Sequence, residues 1–189
     1  MRESMSQNPS SLLDVSVTKV GESAAASTAA ATAAMVTQAM HASNGGACRI
    51  YIHGNLGAGK TTWVRAFLRA CGIEGRIKSP SFSVVESYDH DSITFHHLDF
   101  YRQTDPLAWQ GGGLRDIMTE SAVILVEWPE HASGLPPPHV ELWIDWAFPD
   151  QADGPRQLRF VMGRPSDAID FSPSLAVWRE SVQRLSENT

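Results

Sequence analysis

Apolar residues recur along this chain with two different periods, and the changes between them lay out a series of strands and helices. Trp63, Val64, Phe67, Leu68 and Cys71 fall on one helical face while Arg65 and Arg69 share another, which predicts a helix from near Lys60 to Gly72. The preceding run, Cys48–His53, is rich in β-branched and aromatic residues and predicts a strand. Ala122–Trp128 contains the unbroken apolar stretch Val123–Val126 and predicts a central strand buried on both faces. Ser81–Tyr88 and Ile93–Asp99 predict two more strands around the polar turn Asp89–Ser92. His139–Trp146 and Arg156–Met162 predict a hairpin whose loop holds Asp150 and Gly154.

Leu12–Val20 predicts a short strand, and Leu175–Leu185 a small surface helix. Ser23–His41 is Ala-dominated and favours helix through propensity more than through an apolar stripe, with Asn44, Gly45 and Gly46 ending it. Short helices are predicted over Pro106–Trp109 and Leu114–Met118. Strands interleaved with helices predict an α/β fold, with a central, mostly parallel sheet plus antiparallel strands. The expected layout is a disordered tail over residues 1–11, one domain over 12–162 and a C-terminal extension over 163–189 that carries the surface helix.

Composition narrows the class only modestly. With 189 residues and 42% hydrophobic content, the chain can bury a substantial core without staples. The formal net charge of -6 does not favour a nucleic-acid surface. The two cysteines, Cys48 and Cys71, match no zinc or thioredoxin spacing, and free buried thiols suit a reducing cytosol. No apolar run is long enough to cross a bilayer. The Ser- and Ala-rich N-terminus contains Glu3, Asp14 and Glu22, against an organelle transit peptide, so a cytoplasmic location is expected, with no membrane partner.

The sharpest chemical signal is Gly54-Asn55-Leu56-Gly57-Ala58-Gly59-Lys60-Thr61, which fits G-x-x-x-x-G-K-[ST] between a predicted strand and a predicted helix. Glycines let the backbone curl so that successive N–H groups converge on phosphate oxygens, and the helix that follows adds its positive end. Lys60 is placed to reach the β- and γ-phosphates, and the Thr61 hydroxyl to meet magnesium. Such a site needs a carboxylate at a neighbouring strand end. Asp99 ends one strand run, where a turn cap is the competing reading. Glu127 ends the most apolar run, where a carboxylate is costly without a cationic partner, a rim salt bridge being the alternative. Trp128 either lies against the nucleotide or covers the sheet edge. His96 and His97 are adjacent, so one is expected to point into the core and the other away. Trp143 and Trp146 read as packing ahead of a base-stacking platform, and Arg102 and Arg115 as surface arginines ahead of a source of charge to the transition state.

Taken in order, GNLGAGKTT (Gly54–Thr62), KSPSF (Lys78–Phe82), HLDFYR (His97–Arg102), GLRD (Gly113–Asp116) and VEWP (Val126–Pro129) resemble the TsaE (YjeE) family, the ATPase of bacterial tRNA threonylcarbamoyladenosine synthesis. The resemblance covers residues 12–162, and HLDFYR and VEWP are far more specific than the phosphate loop. It implies a P-loop NTPase-type three-layer fold, weak ATP hydrolysis alone, and action with TsaB and TsaD. tRNA is then met only indirectly, through that complex. The cofactors implied are ATP and Mg2+. Carried onto this chain, Lys60 is the phosphate lysine, Thr61 and Glu127 are the metal ligands, Asp99 is needed for hydrolysis, and Ser79–Phe82 resembles a switch-like loop. Asn55, Leu56, Gly57, Ala58, Gly59, Lys60, Thr61, Thr62 and Trp128 form the expected nucleotide contacts, with Asp99, Glu127 and Lys60 the catalytic set. Ser81 stands where the family often has Thr, and Asn55 where it often has Asp.

Three other functions compete. A small-molecule kinase on the same loop needs an arginine-bearing lid, and the segment after Tyr101 offers only Arg102 and Arg115 around three glycines. A GTPase needs a guanine reader, and no Asn-Lys-x-Asp occurs. A non-catalytic role, with ATP binding alone locking an assembly, remains distinguishable only by hydrolysis-dead variants.

Overall fold

The structure is a computed structural model that describes residues 11–80, 83–148, 154–163 and 169–187. Residues 1–10 of the expected tail, together with Ser81, Phe82 and Asp150, lie outside the described residues. The elements run β1 (Ser11–Val20), α1 (Glu22–Ala42), β2 (Cys48–His53), α2 (Lys60–Ala70), β3 (Val85–His90), β4 (Ile93–Asp99), α3 (Leu114–Ile117), β5 (Val123–Glu127), β6 (Val140–Trp146), β7 (Arg156–Gly163) and α4 (Ser172–Glu187), with 3-10 turns at Ala108–Gln110 and Pro129–His131.

The seven strands form one sheet in the order β1-β7-β6-β2-β5-β4-β3. Its middle is parallel: β2 pairs in parallel with both β5 and β6, and β5 with β4. Antiparallel strands close both edges, β7 and β1 on one side and β3 on the other. Parallel strands put all their C-terminal ends on one rim, and here the register is direct. Ile52 of β2 pairs with Glu127 of β5, which pairs with Asp99 of β4. The sequence motifs therefore converge on one edge of the sheet.

Both faces are covered. Alternate residues of β2, β4 and β5 (Ile50, Ile52, Phe95, Val123, Leu125) join α1, α2 and α4 in the larger core. The intervening residues Tyr51, Leu98, Ile124 and Val126 pack with Trp109, Met118 and Ala132 on the other face. Double coverage explains the histidine pair. His96 and His97 do lie on opposite faces, yet neither points away from the core, because both faces are interior. The Cys48 and Cys71 thiols are free and buried, and burial pushes each up to about 12.

The β3–β4 hairpin differs from the expected four-residue turn. Asp89 pairs with Thr94 and His90 with Ile93, leaving only Asp91 and Ser92 in the turn, both at positive φ (49° and 63°). A two-residue turn with both positions left-handed matches strand twist, and Asp tolerates that conformation. β3 also starts four residues later than Ser81, after Val84 at φ 66°.

Helix α1 is held by two paired hydroxyls. Thr28 and Thr32 are buried and donate to carbonyls one turn back, at 2.7 and 2.8 Å. The same oxygens accept indole N–H groups, Thr28 from Trp63 of α2 and Thr32 from Trp178 of α4, each at 3.0 Å. The helix expected over Leu175–Leu185 is thus longer and docked by one face. Trp178 and Val182 are buried, and the Trp178 ring meets Phe160 edge-on at 5.3 Å. Trp178→Ala should cost about 3–5 kcal/mol in urea unfolding; a loss below about 1 kcal/mol would show that α4 contributes little to the core.

Candidate functional site

β2 leaves the sheet at His53 directly into the phosphate loop. Gly54 has φ +138°, and a Cβ there would sit 2.1 Å from the Ile144 carbonyl oxygen of β6, so only glycine passes this close to the neighbouring strand. The loop then turns at Gly57 and Gly59, both at positive φ, before α2 begins at Lys60 without a side-chain N-cap. No side chain caps the start of α2, where the general geometry of a helix leaves its first N–H groups open to an anion.

Lys60 is buried and folded back on the loop. Its Nζ donates to the Gly54 carbonyl at 2.5 Å and the Asn55 carbonyl at 3.0 Å, and lies 3.6 Å from the centroid of the Trp128 ring. Burial holds its ammonium below the usual lysine range, against the opposing pull of Glu127, Glu130, Asp99 and Asp145.

The two strand-end acids differ in environment. Glu127 is 2% exposed and is held at both oxygens: Thr61 Oγ1 donates to Oε2 at 2.9 Å, and His97 Nε2 lies 2.8 Å from Oε1. Asp99, directly across from it in register, is half-buried and accepts the Tyr101 N–H at 2.9 Å. Burial is the main reason its carboxyl stands above the ordinary range; the Tyr101 N–H pulls the other way, and the charge of Glu127 adds to the rise. Both competing readings have a place in this geometry: Asp99 does cap a turn, and it also lines the same cleft as Glu127. For Glu127, the structure shows a hydroxyl and an imidazole as its hydrogen-bond partners.

A cleft of about 390 Å³ brings together Leu56, Gly57, Gly59, Lys60, Thr61, Thr62, Asp99, Glu127 and Trp128 from the expected set. Asn55 and Ala58 do not line it. Asn55 contributes its carbonyl to Lys60, and the buried Ala58 lines the adjoining cavity instead. The lining also includes Ser79, from the expected switch-like loop, Arg102, weighed above as a source of charge to the transition state, and Tyr101, which the residue patterns did not single out as a contact. Trp128 lies on the phosphate side of the loop, in a left-handed conformation (φ 58°, ψ 48°) that turns the chain off β5, with its ring 4.9 Å from that of Tyr101. Arg115 is not part of the lining. A second cavity of about 320 Å³ shares Gly59 and Thr62 and continues between α1 and the β6–β7 hairpin, with Ala25, Trp63 and Ile144 as walls and Glu22 and Arg156 as polar groups. Arg156 donates to the Ala58 carbonyl at 3.3 Å while its guanidinium lies over Trp146 at 4.3 Å. No pattern in the sequence marked Arg156.

The donors suit magnesium. Thr61 Oγ1 and Glu127 Oε2 are hard oxygens already within 2.9 Å of each other at the mouth of the phosphate cradle. Among the described residues no group of three or more His, Cys, Asp or Glu could hold a metal. Two protein oxygens completed by phosphates and water are what magnesium ordinarily accepts.

Fold and loop together place the chain among the P-loop nucleotide-binding proteins. More narrowly, the family model described as threonylcarbamoyl adenosine biosynthesis protein TsaE matches residues 22–156, and the chain belongs to that family. It is similar to the tRNA threonylcarbamoyladenosine biosynthesis protein TsaE of Haemophilus influenzae, 38% identical over 91 residues, covering 48% of this chain and 58% of the relative. The protein of the same description from Bacillus subtilis is 35% identical over 77 residues, 41% of this chain and 48% of the relative. The matched segments thus span about half of these relatives' own length. The crystal structure of Bacillus subtilis YdiB superposes with a TM-score of 0.56 over 93% of this chain and 96% of that one, at 21% identity, a likeness of fold.

The raised carboxyl of Asp99 yields a prediction with a definite sign. A folded-state value above the unfolded one means that stability is fully present at acid pH and declines as pH rises through the folded value. Asp99→Asn removes that penalty. The variant should therefore melt above the parent at pH 7, with the difference closing as pH falls toward about 4. A variant that melts below the parent at neutral pH would contradict this.

Proposed function

We propose that this chain is a magnesium-dependent ATP hydrolase, weak alone and gated by TsaB and TsaD, supporting tRNA threonylcarbamoyladenosine modification at the adenosine next to the anticodon. One observation carries the proposal: Lys60, Thr61, Glu127 and Asp99, from separate motifs, line a single cleft on the C-terminal rim of the sheet. Membership of the TsaE family supports the pathway. The net charge of -6 suits a subunit that leaves the grip on tRNA to its partners. No helix among the described residues is long and apolar enough to cross a membrane, and we place the activity in the cytoplasm.

In this reading the loop backbone and Lys60 bind the terminal phosphates, Lys60 giving up its carbonyl contacts to do so. Thr61 and Glu127 hold magnesium, which when bound offsets charge on the phosphate oxygens. Asp99, with one oxygen fixed by the Tyr101 N–H, orients the attacking water with the other and accepts its proton; the elevated carboxyl suits that exchange. The nucleoside extends past Gly59 and Thr62 into the second cavity, where an apolar wall and two polar groups can receive a base and ribose.

Phosphate release from Mg·ATP tests the proposal. Turnover should rise when TsaB and TsaD are added. Glu127→Ala and Asp99→Ala should each cut it by about 100-fold or more, Asp99→Ala leaving most of the nucleotide affinity. Lys60→Ala should weaken binding and hydrolysis together, since one charge serves both states. A phosphorylated metabolite in place of free phosphate would favour a kinase. Full pathway function in the hydrolysis-dead variants would favour ATP-dependent assembly without catalysis.

A further inference from the structure

We infer that His97 is a positioning residue for magnesium, acting through Glu127; this rests on the magnesium–nucleotide reading of the cleft. His97 lies on β4 two residues before Asp99, so the two share one face of the sheet, and it pairs in register with Leu125, two residues before Glu127. Its imidazole reaches diagonally across the strand pair to Glu127 Oε1 at 2.8 Å. Both side chains are closed off from solvent, at 0% and 2% exposure. The other ring nitrogen, Nδ1, is buried without a hydrogen-bond partner.

That orphan atom bears on the role. A buried polar ring that satisfies one nitrogen and strands the other is a poor choice for filling a core, where an apolar residue of similar size avoids the cost. The ring's bond to Glu127 is what offsets it. In that bond the Glu127 carboxylate accepts and the imidazole Nε2–H donates.

Geometrically, a carboxylate held by one oxygen can still rotate. Thr61 meets Oε2 and His97 meets Oε1, so the group is pinned at both ends with Oε2 turned toward the phosphate loop. The arrangement is the inverse of a metal-bound histidine oriented by a carboxylate, and the same logic of outer-sphere support applies. Asp99, by contrast, is held by the Tyr101 backbone N–H.

The test is the magnesium concentration that half-saturates binding of a non-hydrolysable, fluorescent ATP analogue, together with the analogue's affinity in EDTA. His97→Leu should raise the magnesium requirement by about tenfold or more while leaving the magnesium-free affinity within about twofold. His97→Gln, whose neutral amide can reach Glu127, should stay within about threefold of the parent. If His97→Leu does not fold, His97→Asn, polar but too short to reach, replaces it with the same expectation. A parent-like magnesium requirement in the Leu or Asn variant overturns the inference, as does an equal loss in His97→Gln. If the parent's own binding ignores magnesium, the proposed function fails and this inference with it.

Discussion

A carboxylate buried in the middle of a sheet has to be compensated, and much of this molecule's active edge is arranged around that requirement. Glu127 follows Val123–Val126, all fully buried, and is itself only 2% exposed, opening on the cleft alone. An uncompensated charge there would cost several kcal/mol or force protonation. The structure meets the demand with a hydroxyl from α2 and an imidazole from β4, so the elements flanking β5 are tied to one group. Placing Thr61 at that carboxylate also fixes where α2 starts. That in turn fixes the curl of the loop between β2 and α2, with Gly54 pressed against Ile144 of β6.

Lys60 shows the complementary constraint. Its ammonium sits among the loop carbonyls and the Trp128 face, in surroundings that disfavour its charge. A cation so placed and two acids on neighbouring strand ends line one cleft, which in the proposed function receives an anion and a cation together. Rigid strands supply the acids and a glycine-built loop supplies the anion cradle, so recognition requires little reorganisation of the sheet.

Local pattern carried a large part of this. Helix α2, strand β5 and the phosphate loop were legible because each is defined within a dozen residues by period or by motif. The ends of β4 and β5 located Asp99 and Glu127, since a sheet that runs parallel must place strand ends together. Alternation along β4 also held the clue to His97, which shares the Asp99 face, although the pair His96–His97 read as structural. Other features depend on partners far away in the chain. The Thr32–Trp178 bond spans 146 residues and the Thr28–Trp63 bond 35, so nothing within the Ala-rich helix announces that it anchors α2 and α4. The left-handed Trp128 and the place of Arg156 beside the loop are likewise set by tertiary packing.

The central claim is that Glu127, held by its neighbours, gives the phosphate cradle its dependence on magnesium. Its most direct test is equilibrium binding of a non-hydrolysable ATP analogue to the parent and to Glu127→Gln, each with magnesium and with EDTA. Magnesium should strengthen binding to the parent by about tenfold or more and have little effect on the variant, whose amide keeps the shape but lacks the charge. Equal strengthening in both proteins would contradict it.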